Sequence, residues 1–276
     1  DWFYLDYRFA DWLGIRAGRT KIPFGLYNET ADIDSAFVPV LLPQSVYPTT
    51  NRDYLLAQTG GEVYGYIDLC DAGALEYRLY GGTIYIDPPR NNGTFPRITD
   101  VEVPYVVGAR LIWETPLPGL RVGATLQSLN LDLGYQLAED ARLALDFDVD
   151  IWLLSAEFTT GDLVLALEYS RWNASLHADN PAVLPDAKVD NERYYISAAH
   201  RVAPWLEVGL YYAGYTPNVE KRKGRANYQH DVALTLRFDA TTFWTIKLEG
   251  HLIRGTAGLD PALNGGKPLS ELEDLW

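Results

Sequence analysis

The feature that most constrains this sequence is a two-residue alternation of apolar residues with polar or small ones, repeated in about twelve segments. In one segment, Leu163, Leu165 and Leu167 share one face, and Glu168 and Ser170 share the other. A period of two is that of a β-strand whose two faces meet different surroundings. Short connections alternate with long ones along the chain, as turns and loops do in outer-membrane barrels. The pattern predicts an all-β, antiparallel, up-and-down transmembrane β-barrel.

Alternation alone also fits a soluble β-sandwich or jelly roll. Mean hydropathy is only −0.14, and no apolar run is long enough for a membrane helix, so a membrane-spanning chain of this kind has to be a barrel. Aromatic residues near the short turns form the girdle expected at a membrane interface. They are Trp12, Trp113, Phe158, Trp205, Phe243 and Trp244. This placement favours the barrel over the sandwich.

Residues 1–276 are predicted to form a single barrel domain. Asp1 begins a strand that runs towards the short-turn side, and Trp276 begins another after a long loop. A closed barrel with an even number of strands then needs further terminal strands, about 14 to 16 in the full protein. Within the stretch from Ala141 to Thr160, the apolar residues move from one face of the strand to the other. This change requires a bulge near Ile151 or an upper half of the strand that lies outside the membrane.

A long connection after the second strand is predicted to fold into the barrel as a constriction loop, residues 24–60. Pro23 and Gly25 end the strand, and Pro39, Pro43 and Pro48 prevent continuous pairing afterwards. Long loops inside compact domains are functional or disordered. Apolar residues occur throughout this one, and they need a surface against which to be buried.

The run RAGRTKIPFGLYNETADIDSA, then LLPQSVYP, then GGEVYGY at Gly60–Tyr66 resembles the early part of Gram-negative outer-membrane porins of the phosphate-selective porin O/P-like superfamily. The resemblance implies a diffusion channel, commonly trimeric, in the bacterial outer membrane, with a loop that narrows the pore. No run of lysines matches the phosphate-binding rings of that family. Small outward residues, Gly65, Gly81, Ala109 and Ala124, would allow the close wall-to-wall approach of a homotrimer.

If the apolar faces meet lipid, the opposite faces line the lumen. The predicted pore-lining and constriction residues are Arg16, Lys21, Glu29, Asp32, Asp34, Arg52, Asp53, Glu76, Arg78, Arg110, Arg121, Glu168, Arg201, Arg237, Lys247 and Glu249. One interpretation is that most of these charges form salt bridges that stiffen the wall. The other is that arginines on early strands face loop acids across the pore, where opposed charges create a transverse field.

Enzymatic and metal-dependent functions are not expected. His177, His200, His230 and His251 lack ligand spacing, and no phosphate-binding loop or nucleophile elbow occurs. We expect no cofactor and no metal. A net charge of −14 argues against nucleic acid as a partner, since binding phosphates needs basic surface. The expected partners are small hydrophilic solutes, outer-membrane lipid and lipopolysaccharide.

The sequence thus predicts a passive outer-membrane porin for small hydrophilic solutes, leaning towards anions or carboxylates. The alternative is a soluble or surface β-sandwich that binds carbohydrate through its tyrosines. Charge selectivity depends on the loop. If Glu29, Asp32 and Asp34 pair with wall arginines, the constriction is nearly neutral. The expectation adopted here is that these acids turn outward and leave the arginines free for anions.

Overall fold

A computed structural model describes residues 2–86, 97–259 and 264–273. Within these ranges, twelve antiparallel strands form a single sheet in chain order. The strands are β1 (Phe3–Ala10), β2 (Leu13–Lys21), β3 (Ala57–Asp68), β4 (Ala74–Ile84), β5 (Arg97–Glu114), β6 (Leu120–Ala138), β7 (Ala141–Thr160), β8 (Leu163–Ala178), β9 (Ala187–Ala203), β10 (Leu206–Thr216), β11 (Gln229–Asp239) and β12 (Thr245–Arg254). The predicted all-β, up-and-down barrel architecture is confirmed. The two-sheet sandwich is wrong.

The two faces of the sheet differ as the alternation predicts. Outward residues such as Leu126, Leu154 and Leu210 are more than half exposed, at 60%, 54% and 51%. Inward neighbours such as Thr125 and Tyr211 are almost fully covered, at 1% and 2%. A strand with an apolar, exposed outer face has its low-energy environment in lipid. The sheet therefore presents an apolar band outward and encloses a polar and aromatic interior.

β7 needs no bulge near Ile151, so that alternative is wrong. Its pairing with β6 runs without a register shift from Leu120 opposite Phe158 to Gln136 opposite Arg142. The inward face is apolar here because Ile151 belongs to a buried cluster that includes loop residues. Instead, the outward face of β7 becomes acidic above the apolar band, where it consists of Asp146, Asp148 and Asp150. The upper half of β7 extends beyond that band, as the second alternative states.

One further detail differs from expectation. Gly65 does not offer a small patch for another wall. A Cβ there would lie 2.7 Å from the ring of Tyr77, which already covers it.

In the described residues, β1 pairs with β2 and β12 with β11, and no pairing joins β1 to β12. Residues 22–56 lie between β2 and β3 and contain one helical turn, α1 (Arg52–Leu55), and three 3-10 turns. We call residues 22–56 the inner loop. No helix within the described ranges is long and apolar enough to cross a membrane.

Candidate functional site

The inner loop enters the lumen and buries its apolar side chains there. Ile22, Phe24 and Val46 are fully buried, and Leu55 is 3% exposed. They pack in one cluster with inward residues of the wall, notably Tyr80, Leu129, Ile151, Leu153, Trp172, Tyr195 and Tyr211. Burying such side chains stabilises a fold by roughly 1.5–3 kcal/mol each. The predicted infolding of the loop is confirmed, and its physical cause is this apolar contact with β4–β11.

Glu168, on β8, fixes the loop to the wall. Its carboxylate is 0% exposed and accepts hydrogen bonds from Tyr47 Oη, from Tyr195 Oη at 2.8 Å, from Ser155 Oγ at 2.6 Å and from the Leu26 amide at 3.0 Å. A buried carboxylate requires such partners, since an unpaired one is very costly. Glu168 was predicted to line the pore. The structure corrects this, because the loop covers it completely.

Phe24 and Tyr47 complete this contact. The Phe24 ring meets Trp172 edge-on at 6.2 Å and Tyr47 at 6.4 Å. Burial raises the pKa of the Tyr47 phenol, and the adjacent Glu168 charge raises it further. The phenol therefore stays protonated as a donor. We call Phe24, Tyr47 and Glu168 the buried anchor.

A charged cluster occupies the wall formed by β2–β5. Arg16 lies opposite Glu62 in the register of β2 and β3. Its guanidinium contacts Asp6 Oδ2 at 2.7 Å and Glu62 Oε1 at 3.1 Å, and it lies 4.3 Å from the centre of the Tyr64 ring. Arg78 contacts the same Glu62 oxygen at 3.2 Å. Glu62 thus links two of the predicted pore arginines.

Glu29 of the inner loop closes this cluster from the lumen. Arg78 and Arg110 lie directly opposite each other on β4 and β5, where like charges repel. Glu29 contacts both, at 2.8 and 2.9 Å, and Glu76 contacts them at 3.4 and 2.6 Å. The expectation that the loop acids turn outward is therefore wrong for Glu29, because two facing guanidinium groups draw its carboxylate inward.

The other charged residues of the loop have different surroundings. Lys21 Nζ donates to Asp32 Oδ1 at 2.5 Å and to the Glu29 carbonyl at 2.6 Å. Burial raises the pKa of Asp32, but the hydrogen bond from Lys21, a backbone hydrogen bond and the nearby positive charges of Lys21 and Arg52 together outweigh it and leave the pKa below its usual value. Arg52 and Asp53 are exposed on α1 and form none of the ion pairs of the described residues. The structure does not bring them to the wall arginines.

Below the loop, on the short-turn side, lies a cavity of about 460 Å³ that we call the lower chamber. Arg121 pairs with Glu157 at 2.9 Å, while Arg201 pairs with Glu207 at 2.8 Å and with Asp239 at 3.0 Å. Arg237 Nε also contacts Asp239, at 3.1 Å. The structure brings the predicted Arg121, Arg201 and Arg237 together around one chamber.

Two charged residues of β12 bind the middle of the inner loop, residues 34–41. Lys247 Nζ donates to the carbonyls of Asp34, Phe37 and Pro39 at 2.5, 2.8 and 3.0 Å. Glu249 accepts from the Val40 amide at 2.8 Å and from the Leu41 amide at 3.1 Å. We call Lys247 and Glu249 the β12 clamp. The interpretation that wall charges pair with one another fails for these two, because each bonds the loop backbone instead, and Glu249 also accepts from the Thr235 hydroxyl.

The sequence analysis missed several acids that complete these clusters. They are Asp6, Glu62, Glu157 and Asp239. The signal for Glu62 was available, because the alternation of GGEVYGY puts it on the inward face with Tyr64. The alternation likewise puts Glu157 on the inward face of β7.

Solved structures share this architecture. The outer-membrane expressed OmpT of Vibrio cholerae matches with a TM-score of 0.58 and 12% identity, over 91% of this chain and 69% of that one. The anion-selective porin from Comamonas acidovorans matches with a TM-score of 0.51 and 13% identity, over 90% and 65%. The loop L8 deletion mutant of OmpT matches with a TM-score of 0.52 and 14% identity, over 88% of this chain and 70% of that one.

This likeness shows the fold. The chain has the architecture of an outer-membrane β-barrel protein and spans 65% to 70% of the length of these structures. No family model matches the sequence, and no curated protein sequence matches it. Membership of the phosphate-selective porin superfamily therefore stays a prediction.

Proposed function

We propose that the chain is a passive outer-membrane porin for small hydrophilic solutes. The observation that carries the proposal is a charged lumen crossed by the inner loop, with an open chamber on each side of that loop. The lower chamber measures about 460 Å³, and a second cavity of about 450 Å³, the upper chamber, lies on the long-loop side. Charged walls that remain partly open to water suit the passage of polar solutes rather than a catalytic pocket.

Selectivity by charge is proposed to be weak at the β2–β5 cluster. Three guanidinium groups, Arg16, Arg78 and Arg110, meet four carboxylates there, so the local net charge is small. In the lower chamber, Arg121 is the more exposed member of its ion pair, with 40% of its side chain exposed against 12% for Glu157. A permeating ion responds to the nearest exposed charge, because more distant charges are screened. This supports a modest lean towards anions or carboxylates.

Its environment is proposed to be the Gram-negative outer membrane, with lipid and lipopolysaccharide around the apolar band and a homotrimer as the assembly. An outward aromatic row above that band supports a membrane interface. Trp152 packs against Tyr169 at 5.5 Å, and Tyr194 packs against Tyr212 at 6.1 Å. Aromatic rings of this kind concentrate at bilayer boundaries. The resemblance to phosphate-selective porins supports the trimer.

Conductance in planar bilayers tests the proposal. Reconstituted protein is expected to give discrete, ohmic steps in KCl, with a small reversal potential of the sign for anions in a salt gradient. Absence of steps from protein that is folded in detergent would contradict the porin function. Monomers alone in native mass spectrometry, at concentrations that preserve a reference porin trimer, would contradict the assembly.

A further inference from the structure

Arg193 differs from the arginines of the β2–β5 cluster and the lower chamber. It lies on the inward face of β9, it is only 6% exposed, and no carboxylate of the described residues is within ion-pair distance of it. Its Nε donates to Asn191 Oδ1 and its Nη1 to the Ser45 carbonyl, each at 3.0 Å. Both acceptors are neutral. The charge of Arg193 is therefore solvated but not neutralised.

Two aromatic rings hold this guanidinium in place. Its Cζ lies 4.0 Å from the centre of the Trp172 ring and 4.5 Å from that of Tyr215. Ser45, whose carbonyl accepts from Arg193, is itself fixed by a 2.9 Å hydrogen bond from its Oγ to the Tyr194 carbonyl. A guanidinium held this way loses little further freedom when it binds a ligand, which favours recognition.

The guanidinium borders the upper chamber, a cavity of about 450 Å³. Gln44, Thr49 and Gln229 supply neutral polar groups to its lining, and Ala213, Ala257 and Leu259 supply apolar ones. Among the described residues that line the chamber, one is an acid, Asp231. Its carboxylate is already engaged, because it accepts from Tyr211 Oη at 3.2 Å and contacts His251 Nδ1 at 3.0 Å.

We propose that Arg193 anchors a binding subsite for small monocarboxylates in the upper chamber. The inference rests on the proposed function, for which it names a solute class and a binding position. A guanidinium carries five N–H donors, of which the bonds to Asn191 and Ser45 use two. Its geometry matches a carboxylate, and a buried, uncompensated cation gains from an anionic partner.

The class of ligand follows from what else lines the chamber. Asp231 adds a nearby negative charge, which disfavours dianions such as sulfate more than it disfavours a single carboxylate. The apolar patch of Ala213, Ala257 and Leu259 accommodates a short hydrocarbon chain. A site on a transport path must also release its ligand, so affinity in the millimolar range is expected.

Calorimetric titration of the detergent-solubilised protein with sodium propionate in low-chloride buffer tests the subsite. Wild type is expected to bind, and Arg193→Gln is expected to weaken binding by about tenfold or more. Arg222→Gln is the matched control, since it removes one arginine charge from an outer loop where Arg222 pairs with Glu192 at 2.6 Å. Equal affinity in wild type and Arg193→Gln, or no binding to wild type, overturns the proposal. Sulfate binding as tight as propionate overturns the monocarboxylate class.

A second variant covers the case in which Arg193→Gln fails to fold. Gln229 Oε1 accepts from the Gly258 amide at 2.9 Å, and Glu at this position keeps that bond while adding negative charge to the chamber. Gln229→Glu should therefore fold and bind propionate several-fold more weakly, and unchanged binding counts against the subsite. Conductance of the same preparations separates the two proposals. Conduction without propionate binding overturns only the subsite, and binding without conduction overturns only the porin function.

Discussion

The two attachments of the inner loop use the same chemistry in different surroundings. Glu168 and Glu249 both accept hydrogen bonds from loop amides. The donors to Glu168 include the buried phenols of Tyr47 and Tyr195. Glu249 accepts from the loop residues Val40 and Leu41, which are 42% and 45% exposed, and has one buried hydroxyl donor, Thr235. When a carboxylate is lost, buried donors remain unpaired, but exposed donors turn to water. The buried anchor should therefore determine stability, and the β12 clamp should determine the position of the loop edge.

The largest effect is expected from Glu168→Ala. It leaves Tyr47, Tyr195 and Ser155 hydroxyls without their acceptor in a dry contact, so the free energy of unfolding should fall by about 3 kcal/mol or more. Thermal or denaturant unfolding in detergent measures this. Glu207→Ala is the control, because Arg201 keeps Asp239 as a partner, and it should cost less than about 1 kcal/mol. Equal losses in the two variants would show that burial of the anchor does not matter.

A smaller change is expected from Glu249→Ala. The Val40 and Leu41 amides can be hydrated, and of the buried hydroxyls only that of Thr235 loses its acceptor, so the free energy of unfolding should fall by about 1–2 kcal/mol. The loop edge loses its fixed position, however, and single-channel recordings should show increased open-state noise. Thr241→Ala, in the turn before β12, is the control and should leave the noise unchanged. A quiet channel in Glu249→Ala would mean that Lys247 alone holds the loop.

The difference between the anchors also shows what sequence can predict here. The two-residue alternation correctly identified the inward face of β8, and therefore Glu168. Alternation shows which face a residue is on, but not how far along the barrel axis it lies. Whether an inward residue lies under the loop depends on the loop's path across the lumen, which contacts between residues far apart in sequence decide. Phe24 meets Trp172 in this way. The pore-lining role assigned to Glu168 failed for that reason.

Strand boundaries account for another omission. In the sequence, the alternation typical of a strand is clear only from about Tyr194 onwards, whereas β9 begins at Ala187. Arg193 was therefore not counted among the inward arginines. The alternation that continues from Tyr195 back to Arg193 was the available signal. Upper strand ends that extend beyond the apolar band lose their hydrophobic face, so the period of two becomes hard to recognise there.

Alkaline pH provides a finer probe of the buried anchor. The unfolded Tyr47 phenol ionises near pH 10, whereas burial beside Glu168 keeps the folded phenol protonated at higher pH. The unfolded state then binds fewer protons than the folded state, so stability falls as pH rises above about 10. Tyr47→Phe should be about 1–3 kcal/mol less stable than wild type at pH 7.

That stability difference should narrow towards pH 11, because only wild type carries the ionisable group. Unfolding midpoints in detergent at pH 7, 9 and 11 measure the trend. Tyr85→Phe alters a phenol that is 70% exposed and should show no such narrowing. A difference that stays constant with pH would mean that the Tyr47 phenol ionises equally in both states.

The smallest expected effect concerns charge selectivity, where the β2–β5 cluster contrasts with both attachments because its groups neutralise one another. Arg110→Ala leaves Glu29 and Glu76 to share Arg78. The cluster becomes more negative, and the reversal potential in a tenfold KCl gradient should move towards cations by roughly 10 mV, out of about 59 mV for ideal selectivity. Arg8→Ala, beside the exposed Asp11 at a short turn, removes the same charge away from the cluster and should cause no shift. If Arg110→Ala also causes none, solutes pass elsewhere in the lumen, and the cluster serves only to hold Glu29 and the loop against the wall.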